Sequence, residues 1–168
     1  EMMWSFYGKG KWLAKGVVKF PQVRVTYPAV HLKDRAVYLV GSTDPVPGGS
    51  IRDYQQMFFT WSDDVTTGKF HDWVELVNRE KTGGYVHSLD LRFVDDSRGK
   101  RVHVVWYDRL LSLDRSFQAK YAPGLRQRIS LNHSIIKDGK MVSTRPIVLG
   151  YGDGEGEIPS RVARFHST

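Results

Sequence analysis

The chain has 168 residues, of which 40% are hydrophobic and 12% are aromatic, a composition that predicts a globular domain and excludes a disordered chain. Cysteine is absent, which excludes disulfides and thiolate chemistry, and no apolar run reaches the ~20 residues that a membrane helix needs. The formal charge of +7 fits either an ordinary basic surface or a partner rich in carboxylate, sulfate or phosphate groups, while the scatter of the basic residues argues against nucleic acid.

Short segments rich in β-branched and aromatic residues make up the first complete unit of the chain, and turn residues separate them. A tight turn at Lys33-Asp34 precedes the second segment, and a long loop at 42–53 precedes the third. No stretch has the apolar spacing of a long amphipathic helix. The predicted strands of this unit are 25–31, 36–41, 56–62 and 73–76.

A second unit repeats this order, with Val37 and Val102 at equivalent positions about 65 residues apart. Its loop between the second and third strands, 108–127, is longer still. The predicted strands are 88–94, 101–107, 128–134 and 143–149.

The two ends of the chain continue the pattern, which predicts an all-β protein built from four-stranded antiparallel blades of a β-propeller. Residues 1–24 would end one blade, 25–86 and 87–157 would be complete blades, and 158–168 would begin the next. A sheet of this kind needs neighbours on its faces, and about three blades cannot close a ring. We therefore expect a further length of chain or additional copies to complete it.

The segment 62–73 resembles the Asp-box of sialidase-like, BNR-repeat propellers, a pattern carried here by Ser62, Asp64, Gly68 and Trp73. In that family the box forms the turn between the third and fourth strands, where this segment is also predicted to lie. The resemblance implies a folding role for Asp63, Asp64 and Trp73, because short polar side chains bond to turn backbone and the indole packs between sheets. It also implies a carbohydrate substrate bound on the opposite rim.

The longest connections of both units are predicted to share one rim of the propeller, and long loops in compact domains are usually functional. Tyr27 and Tyr54 are expected on this rim, together with His87 in the crossing between units. Tyr107, Asp108 and Arg109 end an apolar strand and open the longest loop, so we expect them in rigid positions.

Roles follow from the chemistry of these groups. Asp108, Tyr107 and His87 are the candidate catalytic residues, and Arg109 is expected to grip a substrate carboxylate. The alternative is an ion pair between Asp108 and Arg109 that only pins the loop. The resemblance implies an arginine cluster for the carboxylate, for which the candidates are Arg92, Arg161, Arg24 and Arg52.

The histidines do not have metal-ligand spacing, so we expect no metal or other cofactor. His103 alternates with apolar neighbours, and His133 lies within a predicted strand. Both are therefore predicted to be structural.

Three functions remain open. The first is a carbohydrate-active propeller acting on an acidic glycan, either as a glycoside hydrolase with a carboxylate or tyrosine nucleophile or as a polysaccharide lyase. The second is a non-catalytic carbohydrate-binding module with aromatic platforms. The third is a structural role in an assembly. We expect an extracellular or periplasmic location, with no signal peptide visible and no membrane or nucleic-acid partner.

Overall fold

A computed structural model describes residues 1–21, 25–43 and 54–151 and confirms that the protein is all-β. The strands in these ranges are β1 Met2–Gly8, β2 Lys11–Val18, β3 Val25–Lys33, β4 Ala36–Thr43, β5 Gln56–Ser62, β6 Val74–Asn78, β7 Gly83–Asp96, β8 Gly99–Leu111, β9 Arg128–Lys137 and β10 Lys140–Tyr151. Two short 3₁₀ helices, Val65–Thr67 and Glu80–Thr82, and one helix, α1 Arg115–Tyr121, lie between strands. None of the helices in the described ranges is long and apolar enough to span a membrane.

The strands form a hairpin and two antiparallel four-stranded sheets. The hairpin pairs β1 with β2. The first sheet has the order β3-β4-β5-β6, and the second has the order β7-β8-β9-β10, so each is a simple meander of consecutive strands. These are the strands and the chain order that the two predicted units contain. The described part of the chain contains three separate sheets and no closed ring.

The main core lies between the two four-stranded sheets. Side chains alternate between the faces of a strand, so every second residue points into this space. Tyr38 of β4 stacks on Phe93 of β7 with ring centroids 4.6 Å apart. The remaining buried members come from both sheets and include Val40, Met57, Phe59, Val77, Val86, Leu91, Val102, Val104, Trp106 and Ile136.

The hairpin packs against the connection that leads into β6 of the first sheet. Trp4 contacts Phe70 with ring centroids 6.3 Å apart, and Phe20 lies at the same distance from Trp73. The indole N–H of Trp73 donates a hydrogen bond of 2.7 Å to the carbonyl of Lys19. Trp73, which the sequence predicts to be structural, therefore joins the end of β2 to the first sheet.

The turn between β5 and β6 is built by short polar side chains. A carboxylate oxygen of Asp64 accepts hydrogen bonds from the amide and the hydroxyl of Thr66, which caps the first 3₁₀ helix. Ser62 donates from its hydroxyl to the carbonyl of Lys69 at 2.6 Å, and Gly68 ends the helix with a φ of 71°. These contacts match the folding role expected for this segment.

Connections gather at two opposite ends of the sheets. At one end the amide of Val65 bonds to the carbonyl of Arg35, which joins the short turns of the first sheet. At the other end the amide of Val86 bonds to Tyr54, and the amide of Ser112 bonds to Thr82. The strand ends that flank the longer connection of the first sheet thus lie at the same end as the connection between β8 and β9.

The long loop of the second sheet differs from its prediction. β8 continues to Leu111, and α1 then occupies part of 112–127. The side chain of Asp114 caps this helix by accepting from the amides of Ser116 and Phe117. Because α1 has seven residues, it is too short to produce a recognisable amphipathic period.

Replacing Gly139 with alanine tests the contact between the sheets at the short-turn end. Gly139 has a φ of 73°, and an added Cβ would lie 2.9 Å from the indole of Trp61 in the first sheet. We expect the free energy of unfolding to fall by about 1–2 kcal/mol because alanine disfavours the left-handed backbone. It should fall by about 1–3 kcal/mol more because Trp61 must shift. Urea denaturation measures the free energy of unfolding.

Gly99→Ala is the matched control, because Gly99 occupies the equivalent turn between β7 and β8 with a φ of 85° and an added Cβ meets nothing within 4 Å. In this variant the free energy of unfolding should fall only by the contribution of the left-handed backbone. Equal losses in the two variants would contradict the packing of Trp61 against the turn of the second sheet.

Candidate ligand-binding site

An aromatic cluster lies at the end of the sheets where the longer connections meet. β7 and β8 supply four of its members as two cross-strand pairs, Tyr85 opposite Arg109 and His87 opposite Tyr107. Their neighbours along the strands, such as Val86 and Asp108, are buried. The four therefore point to the face of the second sheet that is turned away from the core, which is called the outward face below.

Two tyrosines of the first sheet complete this aromatic cluster. Tyr27 contacts His87 with ring centroids 5.6 Å apart and Tyr54 at 5.8 Å. Tyr54 in turn contacts Tyr85 at 5.5 Å and His87 at 6.0 Å, and Tyr85 contacts Tyr107 at 5.6 Å. Each ring is thus positioned by rings from other strands.

Arg109 borders the cluster and is held in place. Its guanidinium carbon lies 5.3 Å from the centroid of the Tyr85 ring, and its Nε donates a hydrogen bond of 3.2 Å to the carbonyl of Leu111. A guanidinium fixed in this way loses less conformational freedom when it binds a carboxylate than a mobile arginine does.

Tyr27 has a strained backbone. Its φ is 46°, in the left-handed region that residues other than glycine rarely adopt, and it lies where the β3–β4 register shifts between Thr26 and Ala29. The hydroxyl of Ser88 donates a hydrogen bond to its carbonyl, which connects this bulge to β7. Such strain persists only where surrounding contacts hold it, and it concentrates at functional sites.

Burial changes the acid–base behaviour of the cluster. It lowers the pKa of His87, so the imidazole is neutral at pH 7. Nδ1 of His87 is buried and has no hydrogen-bond partner within the described ranges. Burial also raises the pKa of Tyr107, with a smaller opposing effect of Arg109, so that the phenol keeps its proton. A neutral base and a phenolic donor therefore lie on paired positions of adjacent strands.

Asp108 lies on the opposite face of β8 from Tyr107 and Arg109. Its side chain is 1% exposed. Nε and Nη2 of Arg79 approach its two oxygens at 2.8 and 3.0 Å, and Nη2 of Arg128 approaches at 3.3 Å. Of the three predicted catalytic residues, the structure brings Tyr107 and His87 together and separates Asp108 from them. The carboxylate pairs with Arg79 and Arg128, and not with its sequence neighbour Arg109.

The predicted substrate-binding arginines are dispersed. Arg109 borders the cluster, whereas Arg92 lies further along β7, opposite His103. Arg24, Arg52 and Arg161 lie outside the described residues. Sequence reasoning missed Tyr85, although its alternation with His87 before the apolar strand could have indicated a shared face.

The histidines of the second sheet form a pair. Nδ1 of His103 lies 2.9 Å from Nε2 of His133, and the rings stack with centroids 5.1 Å apart. Burial is the main cause that lowers the pKa of His103, and His133 and Arg101 add to it. Within the ranges that the structure describes, no group of three or more histidines and acidic residues could hold a metal ion.

In comparisons with known proteins, no family model, no curated protein and no solved structure matches the chain.

Replacing Asp108 with asparagine should strongly destabilise the fold. The substitution keeps the shape of the side chain but removes the charge that pairs with Arg79, whose side chain is only 21% exposed. Breaking one partner of a buried pair costs about 3–5 kcal/mol. The free energy of unfolding in urea measures the loss.

Asp34→Asn is the matched control, because Asp34 forms an ion pair with Lys33 at 3.6 Å while its side chain is 83% exposed. Exposed pairs of this kind add little to stability, so this variant should unfold like the parent protein. A loss of under about 1 kcal/mol for Asp108→Asn would rule out a structural role of the buried pair.

Proposed function

We propose that the protein binds an acidic carbohydrate at the aromatic cluster. The observation that carries this function is the convergence of Tyr27, Tyr54, Tyr85 and Tyr107 with the anchored guanidinium of Arg109. Sugar-binding sites combine aromatic surface, which contacts the apolar C–H faces of the ring, with a few fixed polar groups that select orientation. The cluster offers both.

Arg109 favours an acidic ligand over a neutral one. A guanidinium forms bidentate hydrogen bonds with a carboxylate, and the formal charge of +7 attracts an anion from a distance. The neutral imidazole of His87 and the phenol of Tyr107 are available for hydroxyl groups of the same sugar. A uronic acid or another carboxylated sugar fits this set of groups.

The stacked sheets support a propeller-like assembly around this site. The hairpin, the first sheet and the second sheet follow one another in the order that consecutive blades would have. In such an arrangement the strand ends that carry the aromatic cluster would lie at one rim.

Replacing Arg109 with alanine should weaken carbohydrate binding by about 10- to 100-fold, because a hydrogen-bonded ion contributes about 1.5–3 kcal/mol. Titration calorimetry with a short uronic-acid oligosaccharide measures the effect, and the same oligosaccharide with reduced carboxyl groups should bind the parent protein weakly.

Arg98→Ala is the control, because Arg98 lies in the turn between β7 and β8 at the opposite end and is 78% exposed. Its affinity should equal that of the parent protein. An unchanged affinity in Arg109→Ala, with an intact fold by circular dichroism, would remove Arg109 from the site.

A second candidate is a polysaccharide lyase, which the neutral His87 beside Tyr107 favours. In this reaction the imidazole takes the proton next to the uronic carboxylate, the electrons form a carbon–carbon double bond, and the glycosidic carbon–oxygen bond breaks. Tyr107 would protonate the departing oxygen, and Arg109 would neutralise the carboxylate. Hydrolysis with Asp108 as the acid is disfavoured because Arg79 and Arg128 hold that carboxylate.

For a lyase, His87→Ala should abolish the ultraviolet absorbance gain from an acidic polysaccharide and should weaken binding far less, because Arg109 still holds the carboxylate. The base must be neutral, and burial lowers its pKa, so the rate should fall only at a pH below the range in which an ordinary histidine titrates. No absorbance gain in the parent protein, with binding present, would leave carbohydrate binding alone as the function.

A further inference from the structure

Four basic side chains cross the outward face of the second sheet from edge to edge. Arg92 of β7 lies opposite His103 of β8, and Arg145 of β10 lies opposite His133 of β9. The two imidazoles bridge the central strands at 2.9 Å. This basic stripe, defined as Arg92, His103, His133 and Arg145, thus has one member on each strand.

The basic stripe and the aromatic cluster occupy the same face. On β8, His103, Tyr107 and Arg109 are separated by even numbers of residues, so their side chains point to one side. At ~3.3 Å per residue, His103 lies about 13 Å along β8 from Tyr107 and about 20 Å from Arg109. His133 and Arg145 are level with Val105, about 7 Å and about 13 Å along the strand direction from the same two residues. Val105, between the two positions, is 3% exposed and forms an apolar floor.

The electrostatic surroundings of the stripe favour an anion. The permanent positive charges of this face are Arg92, Arg145 and Lys137, because burial lowers the pKa of His103. Arg101 lies on the same face but pairs with Asp96 at 2.8 Å. The other acidic residue that edge strand β7 places on this face, Asp90, has a carboxylate oxygen that accepts from the amide of Leu91. An anionic chain would therefore be drawn towards the β9 and β10 side of the face.

We propose that the aromatic cluster and the basic stripe form one extended site for a polyanionic polysaccharide, with one acidic sugar at Arg109 and a second acidic group on the stripe. This inference rests on the function proposed above and makes it more specific. The ligand is a polymer with repeated acidic groups, because a single terminal sugar cannot span the two positions.

The arrangement of the rings favours a polysaccharide over single-stranded nucleic acid. Bases bind by stacking on open aromatic faces. Here the guanidinium of Arg109 lies over Tyr85, and the Tyr85 ring meets Tyr54 and Tyr107 at 65° and 73°. Because Tyr85 is covered in this way, the cluster does not offer the series of parallel open faces on which successive bases stack. The ring of Tyr27, which is 62% exposed, remains open to the C–H face of a sugar.

The test compares short and long oligomers of one uronic acid by titration calorimetry on the full chain. The parent protein should bind the long oligomer at least tenfold more tightly than a disaccharide. Arg145→Ala should lose that gain, a tenfold effect that corresponds to one charge-assisted contact, while its affinity for the disaccharide stays unchanged. Arg145 is exposed on an edge strand, so the fold should be retained, and Lys11→Ala, at an exposed position of the hairpin, controls for a general loss of positive charge.

Each other outcome overturns a distinct statement. Equal affinities for short and long oligomers, or an unchanged gain in Arg145→Ala, would overturn the extended site and leave binding at the cluster intact. Binding of neither oligomer would overturn the proposed function itself. Tighter binding of single-stranded polyuridylate than of the long oligomer, reduced in Arg145→Ala, would replace the polysaccharide with nucleic acid.

Discussion

The buried contact between Arg79 and Asp108 holds the two sheets in the arrangement on which the rest of the structure depends. Arg79 follows the last strand of the first sheet, and its amide donates to the carbonyl of Gln55. Its own carbonyl accepts from the amides of Thr82 and Gly84, which begin the second sheet. The guanidinium then reaches Asp108 at 2.8 and 3.0 Å. One side chain therefore fixes the crossing from sheet to sheet.

Such a pair specifies geometry more than it adds net stability. Removing two charges from water costs about as much as their attraction returns, so an apolar pair of equal volume would serve stability as well. The forked geometry of the guanidinium, by contrast, fixes the angle at which the crossing meets β8. Arg128 extends the contact to β9, so three chain segments are aligned at the end where the longer connections meet.

The aromatic cluster depends on that alignment. Asp108 points inwards, and because side chains alternate along a strand, Tyr107 and Arg109 must point outwards. Pairing with β7 then brings His87 and Tyr85 beside them. The buried Asp108 and the candidate site residues Tyr107 and Arg109 thus lie on opposite faces of one strand. The run of three polar residues at the end of this apolar strand therefore contains one residue that stabilises the fold and two that belong to the candidate site.

The sequence alone determined the β class, the strands of the two four-stranded sheets and their antiparallel order, because these follow from local propensity, turn residues and chain direction. It also indicated Tyr107, His87 and Arg109 as candidate site residues. Only the tertiary structure decided that Asp108 pairs with Arg79, a residue 29 positions away, that Tyr27 meets His87 and that Tyr54 meets Tyr85. These contacts join different sheets, and the angle between packed sheets is set by the fit of many side chains at once, which no local pattern of residues records.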